Sequence, residues 1–469
     1  MIDFNDFLPP VNYKNENERT LKYNCVSVSE KGKHSINNVE FADYLKHRFA
    51  VYTFHESFYF YNYALGIYQR VSWEDVKRII RCYLRKTFPK ARNLTVSSAF
   101  FDEFRMAVDV EDNNEPNAKY LVFKNCTLDL EEKTVIEHSK KHFARNYIPH
   151  DYDADATCPV FEKTLLEIFD EDEDVIKNFW EMLGAILYYG TSYPLKKIFV
   201  FMGTGANGKS LLLDVIRYVV GADNYACSRL DEISGDFGAS TFYGRMVNIS
   251  PETELRTPAN TALLKAITGG DPVLTNFKHQ TPFTARHFTK FIIATNNWFA
   301  MTDSSDGIFD RLHIFHFTQR FVISPTQEEL SKGVRQADTE LLEKIRPEVA
   351  GIINKALEAQ FRLKDNGWKM TPSVTCKNAN KMIQSAYDPF TAFCKKHIRV
   401  SRGNNTLRSE MVSKFSDFQI EVQVGNTYNS FSKTVIVKNL LHKLQELYPN
   451  DGITYFKSSD IYVKNVILV

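Results

Sequence analysis

The chain has 469 residues, with 58 Lys+Arg against 57 Asp+Glu for a formal net charge of +1. At one domain per roughly 150 residues this length suggests about three units; 43% hydrophobic with 25% charged residues describes an ordinary globular chain with no disordered segment, and no stretch approaches a membrane span. A net charge near zero neither favours nor excludes nucleic acid, because a basic channel can lie on a neutral protein.

The start, MIDFNDFLPP, is acidic and lacks a basic region followed by an apolar run, so a cytoplasmic protein is expected. The seven cysteines are dispersed, odd in number and never in a CxxC pair, which argues against a disulfide framework and a zinc ribbon. After an N-terminal segment (1–50), residues 51–190 read as one mixed α/β unit. In it the aromatic run FHESFYFYNYALGIYQRV is followed by an amphipathic stretch at 73–86, the strands YLVFKN and CTLDL, and helices over 159–190. The run KKIFVFM (196–202) is a short buried strand feeding a glycine-rich loop and an apolar helix. RMVNIS (245–250) and KFIIAT (290–295) are two more buried strands, so 191–325 is predicted to be an α/β core with a parallel sheet. A helical stretch interrupted near 346–347 fills 326–387. Residues 388–469, read as helix, helix, then a hairpin around KSSD, fit a winged-helix-like unit.

The chemistry centres on Gly203-Thr204-Gly205-Ala206-Asn207-Gly208-Lys209-Ser210, which satisfies GxxxxGK[ST] between a strand and a helix. Glycines let successive backbone N–H groups turn toward phosphate oxygens, and the helix N-terminus adds a favourable dipole. Lys209 is placed to reach the β/γ-phosphates and the Ser210 hydroxyl to ligate magnesium. ATP and Mg2+ are the expected cofactors. Such a loop needs an acidic partner at the end of a neighbouring strand. Glu252 and Glu254 follow the strand MVNIS, with Glu252 a metal-ligand candidate beside Ser210, and both stay open as the base. The third strand ends in Thr295-Asn296-Asn297, which puts an amide at the carboxyl edge of the sheet, where Asn296 can orient the attacking water. Arg311 precedes the strand LHIFHF and is a candidate finger for a neighbouring subunit's γ-phosphate.

The ordered motifs GTGANGKS, SPETEL, LLKAITGGDP, FIIATNNW and DGIFDRL resemble the superfamily 3 helicases, specifically the phage, plasmid and poxvirus primase-helicase family, over about residues 50–390. The resemblance implies an AAA+-like P-loop ATPase core at 191–325, an N-terminal collar at 51–190 and a helical lid at 326–387. It further implies a ring, usually of six subunits, that hydrolyses ATP between subunits and moves 3′ to 5′ on single-stranded DNA. That activity belongs to replication of a phage or mobile element in a bacterial host, on forked DNA and beside a separate primase or replication protein. By the same resemblance Lys209 and Ser210 are nucleotide ligands, Glu252 and Glu254 the acidic motif, Asn296 the sensor and Arg311 the finger. The resemblance also implies that a hairpin before the sensor strand, here the stretch around Asn276-Phe277-Lys278-His279, carries the DNA-contacting residues Lys278 and His279. Where family members commonly carry an aromatic and two arginines, this chain has Phe309-Asp310-Arg311, leaving one arginine for the finger. Only about 50 residues precede the collar, too few for a primase domain, so Asp109 and Glu111 read as a solvated acidic loop. The stretch 432–447, with Lys433, Lys438 and Lys443, can dock on double-stranded origin DNA. Two other readings are an ATP-switched origin-binding initiator without unwinding and a P-loop small-molecule kinase, the latter disfavoured by the ordered motif set.

Overall fold

In the run IFVFM every residue is buried, as in strands covered on both faces. The computed structural model describes residues 3–89, 96–111, 115–190, 195–233, 235–250, 261–296, 306–421, 432–458 and 460–468. In it this run is β1 (Ile198–Met202) of a five-stranded sheet with β2 (Tyr225–Ala226), β3 (Val247–Ser250), β4 (Lys290–Thr295) and β5 (Leu312–His316). The spatial order is β2-β3-β4-β1-β5, and every neighbouring pair is parallel. Consecutive strands are therefore joined by crossovers, and β1, β3 and β4 all end at one edge. Met202 pairs with Thr295 and His316 there, while Ile198 pairs with Phe291 and Leu312 toward the other end.

Alternation along β1 splits the core. Phe199 and Phe201 join one cluster with Phe161, Phe179, Leu212, Ile353 and Leu357; Ile198, Val200 and Met202 join another with Phe291, Ile314 and Ile383. The helices expected to close the collar, Pro159–Ile168 and Glu173–Leu187, thus pack on the sheet. The second buries eleven residues, all round its circumference, and a helix so apolar must sit between layers. Its Gly184 lets the helix Val349–Asp365 approach closely: a Cβ there would lie 2.4 Å from the Ala356 carbonyl oxygen. At the other end, residues before position 50 share a core with those after it, Phe7, Phe41 and Leu45 packing with Phe60, Ile79 and Phe100. Packing has no break at residue 50.

The stretch after 326 is less continuous than its periodicity predicts. Gln327–Ser331 and Leu341–Ile345 flank a two-residue strand, Arg335–Gln336, that pairs with Phe321–Val322, and a 3-10 turn at Arg346–Glu348 carries Pro347 before Val349–Asp365 begins. The last unit holds two elements absent from the sequence reading. Its order is Pro389–His397, strand Ile398–Leu407, Arg408–Glu421, Lys433–Leu447, then strands Tyr455–Lys457 and Ile461–Leu468, with the last strand central in an antiparallel sheet. The strand 398–407 is concealed in the sequence because its register shifts between Val400 and Asn405 and its side chains are largely polar. Among the described residues no helix is long and apolar enough to cross a membrane.

Candidate functional site

The loop between β1 and the helix Lys209–Val220 takes the left-handed conformation at Gly205 (φ 99°), Ala206 (φ 50°) and Gly208 (φ 88°). Positive φ at these positions turns successive N–H groups to one side, the arrangement that makes an anion cradle. Only glycine fits at Gly203, where a Cβ would lie 2.2 Å from Asn207 Nδ2 and 2.6 Å from the Phe317 carbonyl oxygen. Backbone bonds clamp both sides: Gly203 N donates to Thr295 O at 3.2 Å, Phe317 N to Met202 O at 2.8 Å, and Phe321 N to Ala206 O at 2.7 Å. Buried Asn207 braces the turn, its Nδ2 donating to Phe317 O at 3.4 Å and its Oδ1 accepting from Lys209 N at 3.5 Å.

Lys209 is 6% exposed. Its ammonium donates to the Gly203 carbonyl and, at 2.8 Å, to Oδ1 of Asn296. The strand order explains the second contact. β4 lies between β1 and β3, so the residue that follows it stands beside the loop that follows β1. Ser210, in the first helical turn, is exposed. Glu252 and Glu254 lie outside the described residues, as does Asn297.

The loop floors a cleft of ≈ 670 Å³ whose other walls the sequence did not single out: Val160, Thr164 and Ile168 on one side, Phe321, Asp338 and Leu341 on the other. Glu348 fixes the first wall by accepting from the amides of Val160 and Phe161, both at 3.0 Å, and so caps that helix. Arg335 joins the two walls through Asp170 at 2.9 Å. The cleft fits a nucleotide by three observations. Its size lies within the usual ligand range, the loop presents left-handed N–H turns, and a buried ammonium touches the Gly203 carbonyl and the Asn296 amide oxygen, which a phosphate oxygen can displace. For magnesium the set is incomplete: Ser210 is exposed in the first helical turn, the acidic pair lies outside the described residues, and among the described residues no group of three His, Cys, Asp or Glu side chains gathers to hold a metal.

The other candidates lie elsewhere. Arg311 sits at the start of β5, its carbonyl accepting from Ile198 N at 2.7 Å. It is therefore a full strand length from the loop, roughly 17 Å at about 3.3 Å per residue, and cannot serve its own chain's cleft. Its guanidinium donates to Thr268 Oγ1 at 3.2 Å and to the Gly307 carbonyl. Lys278 and His279 are exposed at the tip of the hairpin Val273–Thr275/Phe283–Ala285, with His279 left-handed. The flanks of that tip are held by the N-terminal sheet: the Arg70 guanidinium lies 3.8 Å over the Phe277 ring and donates to Gln280 at 2.7 Å, and His55 stacks on Phe283. Of the three C-terminal lysines, Lys433 and Lys438 are exposed, whereas Lys443 pairs with Glu446 at 2.9 Å and Asp388 at 3.7 Å.

Residues 41–170 match the family described as D5 N terminal like. This stretch is D5-like. Residues 201–311, from the end of β1 through Arg311, match a family of unknown function, DUF5906. A curated relative, "Putative helicase L207/L206" of Acanthamoeba polyphaga mimivirus, is 26% identical over 164 residues, or 32% of this chain and 17% of its own length. The match therefore spans less than a fifth of that relative. Two solved structures align over 92% of the chain: the A form apo structure of the NrS-1 C-terminal region, at 13% identity with all of that chain covered and a TM-score of 0.47, and an apo structure of the same region, at 14% identity with 99% covered and a TM-score of 0.46.

Proposed function

We propose that this chain is an ATP-dependent DNA helicase of the superfamily 3 type, a ring-forming translocase on single-stranded DNA that acts in replication of a phage or mobile genetic element. The observation that supports the reading is the contact of the Lys209 ammonium with the Asn296 amide across β1 and β4 at one edge of the sheet; in this reading the first binds phosphate and the second orients the attacking water. In this reading ATP lies in the cleft with its phosphates on the N–H groups of 203–208, and its base against Val160, Ile168 and Phe321. Lys209 exchanges its carbonyl and amide acceptors for β/γ-phosphate oxygens, and Asn296, released, holds the attacking water. Ser210 with Glu252 would hold Mg2+, which neutralises developing phosphate charge when bound. Either Glu252 or Glu254 takes the water proton. Because Arg311 lies at the far edge, it acts on the nucleotide of the next subunit, which fits a closed ring such as a hexamer.

The D5-like stretch and the mimivirus relative support a replication-related, helicase- or primase-type protein. Forked and single-stranded DNA are the proposed polymer partners, contacted by Lys278 and His279, with a separate primase or replication protein alongside. The helix–strand–helix–helix–hairpin order of 389–468 supports a winged-helix reading, with exposed Lys433 and Lys438 toward origin duplex DNA. That order also favours the second reading, an ATP-switched origin-binding initiator. Unwinding of a forked duplex by the full chain, compared with Lys209→Ala and Asn296→Ala, separates them. Strand separation that both substitutions abolish supports the motor, and ATP hydrolysis with duplex binding but no strand separation supports the initiator.

A further inference from the structure

Beneath the sheet, at the edge away from the nucleotide loop, a second cavity of ≈ 610 Å³ opens between the starts of β1 and β5 and the segment 368–380. Five cationic side chains line it, Lys196, Lys197, Arg311, Lys369 and Lys377, against one carboxylate, Asp310. In a chain of net charge +1 this is a local excess with no counterpart in overall composition. Its geometry is built. Asn380 clips the helix Val374–Tyr387 to β5, donating to Leu312 O at 2.8 Å and accepting from Ile314 N at 3.2 Å. Lys377, one turn earlier, lies on the same side of that helix. Lys197 donates to the Asp310 carbonyl at 2.6 Å, which holds its stem against the strand. On the wall, His313 is 7% exposed and its Nε2 has no hydrogen-bond partner.

The electrostatics call for an anion. Burial pushes the Lys197 ammonium below its ordinary range, with only partial relief from Asp310. Burial and the neighbouring Lys197 push His313 down to about 3, so it stays neutral. An oxyanion entering beside Lys197 offsets the desolvation of its ammonium and accepts charge-assisted hydrogen bonds from the cations that line the cavity.

We propose that this cavity is a phosphoryl-oxyanion site separate from the nucleotide loop, in which Lys197, Lys369 and Lys377 act together with Arg311. The phosphoryl group comes either from a free ligand or from a nucleotide seated in a neighbouring copy's cleft. The second source rests on the proposed ATPase function, and the first does not. Tripolyphosphate titrated by calorimetry into the full chain carrying Lys209→Ala, which silences the nucleotide loop, tests the free source. Lys369→Glu/Lys377→Glu changes exposed residues only and is the principal variant. Lys197→Met is the second, and Lys31→Glu/Lys33→Glu controls for charge alone. Binding that the cavity variants weaken by at least about 10-fold, with the control unchanged, supports the free source.

For the neighbour source, Lys209→Ala chains are mixed with Lys369→Glu/Lys377→Glu chains. ATP hydrolysis by the mixture but by neither parent supports it, because an interface that sets the cleft of a Lys369→Glu/Lys377→Glu chain against the cavity of a Lys209→Ala chain holds an intact composite site, while the reverse interface holds none. Tripolyphosphate binding by a chain that hydrolyses no ATP in any form upholds the cavity and sinks the ATPase reading. Absence of both cavity-dependent binding and complementation overturns the proposal.

Discussion

The ammonium of Lys209 lies 2.8 Å from Oδ1 of Asn296, although 87 residues separate them in the chain. Insertion of β4 between β1 and β3 makes this contact. It predicts that the two residues act as a pair. Lys209→Ala should remove nucleotide binding, whereas Asn296→Ala should keep binding within a few-fold and lower turnover by about 100-fold, the scale of a lost transition-state hydrogen bond. Nucleotide titration beside steady-state hydrolysis checks the split; an equal effect of both changes on binding would refute the water-orienting role.

Arg311 should behave in the opposite way to a residue of its own cleft. With a strand length between it and the loop, Arg311→Ala is expected to bind nucleotide as the natural chain does and to hydrolyse it about 1,000-fold more slowly, the usual scale for a finger. Turnover per chain should also rise with protein concentration in the natural chain. Full turnover in a demonstrably monomeric sample would end the intersubunit role.

The approach at Gly351 predicts a stability effect remote from the site. A Cβ there would lie 2.2 Å from the backbone of Thr157, which cannot yield as a side-chain end can. Gly351→Ala should therefore destabilise by about 1–3 kcal/mol and lower the melting temperature measured by calorimetry. The helix beginning at Val349 that carries Gly351 adjoins Glu348, the cap of Pro159–Ile168, so weaker nucleotide binding should accompany the loss. An unchanged melting temperature would show that the junction relaxes freely.

Lys290 gives a pH dependence. It donates to the carbonyl oxygens of Tyr188, Gly190 and Phe288 at 2.6, 3.2 and 3.0 Å, and burial lowers its pKa to about 7 from its ordinary 10.5. Between these values the unfolded chain binds the extra proton, so this group makes stability rise with pH from about 7 toward 10.5 and adds no slope below 7. Denaturant unfolding of the natural chain and Lys290→Met across that window should show the slope only in the former. Parallel curves would mean that the three carbonyls keep the ammonium charged.

Among the C-terminal lysines the structure predicts unequal effects on duplex DNA. Lys438→Ala should weaken binding and lower the salt slope by about one, while Lys443→Ala, whose ammonium is already paired with Glu446 and Asp388, should leave the slope unchanged. Gel shifts over a salt series with the full chain would show it, and equal slopes for the two variants would refute the assignment.

The sequence by itself determined what depends on neighbours along the chain. Residues 203–210 announce their loop because glycine spacing dictates local backbone conformation, and β1 and β4 announce themselves because unbroken apolar runs must be buried on both faces. The helix Lys433–Leu447 and the terminal hairpin were legible for the same local reason. Tertiary structure alone decided that Glu173–Leu187 shares one core with β1 and with the strands of 120–148, since an apolar helix does not encode which core receives it. It decided that Ile168 and Phe321 wall the cleft, that Asn296 meets Lys209, and that Lys377 joins Arg311 at the opposite edge. Each of these depends on strand order and crossover path, which are fixed by burial summed over the whole molecule and leave no periodic mark in any single segment.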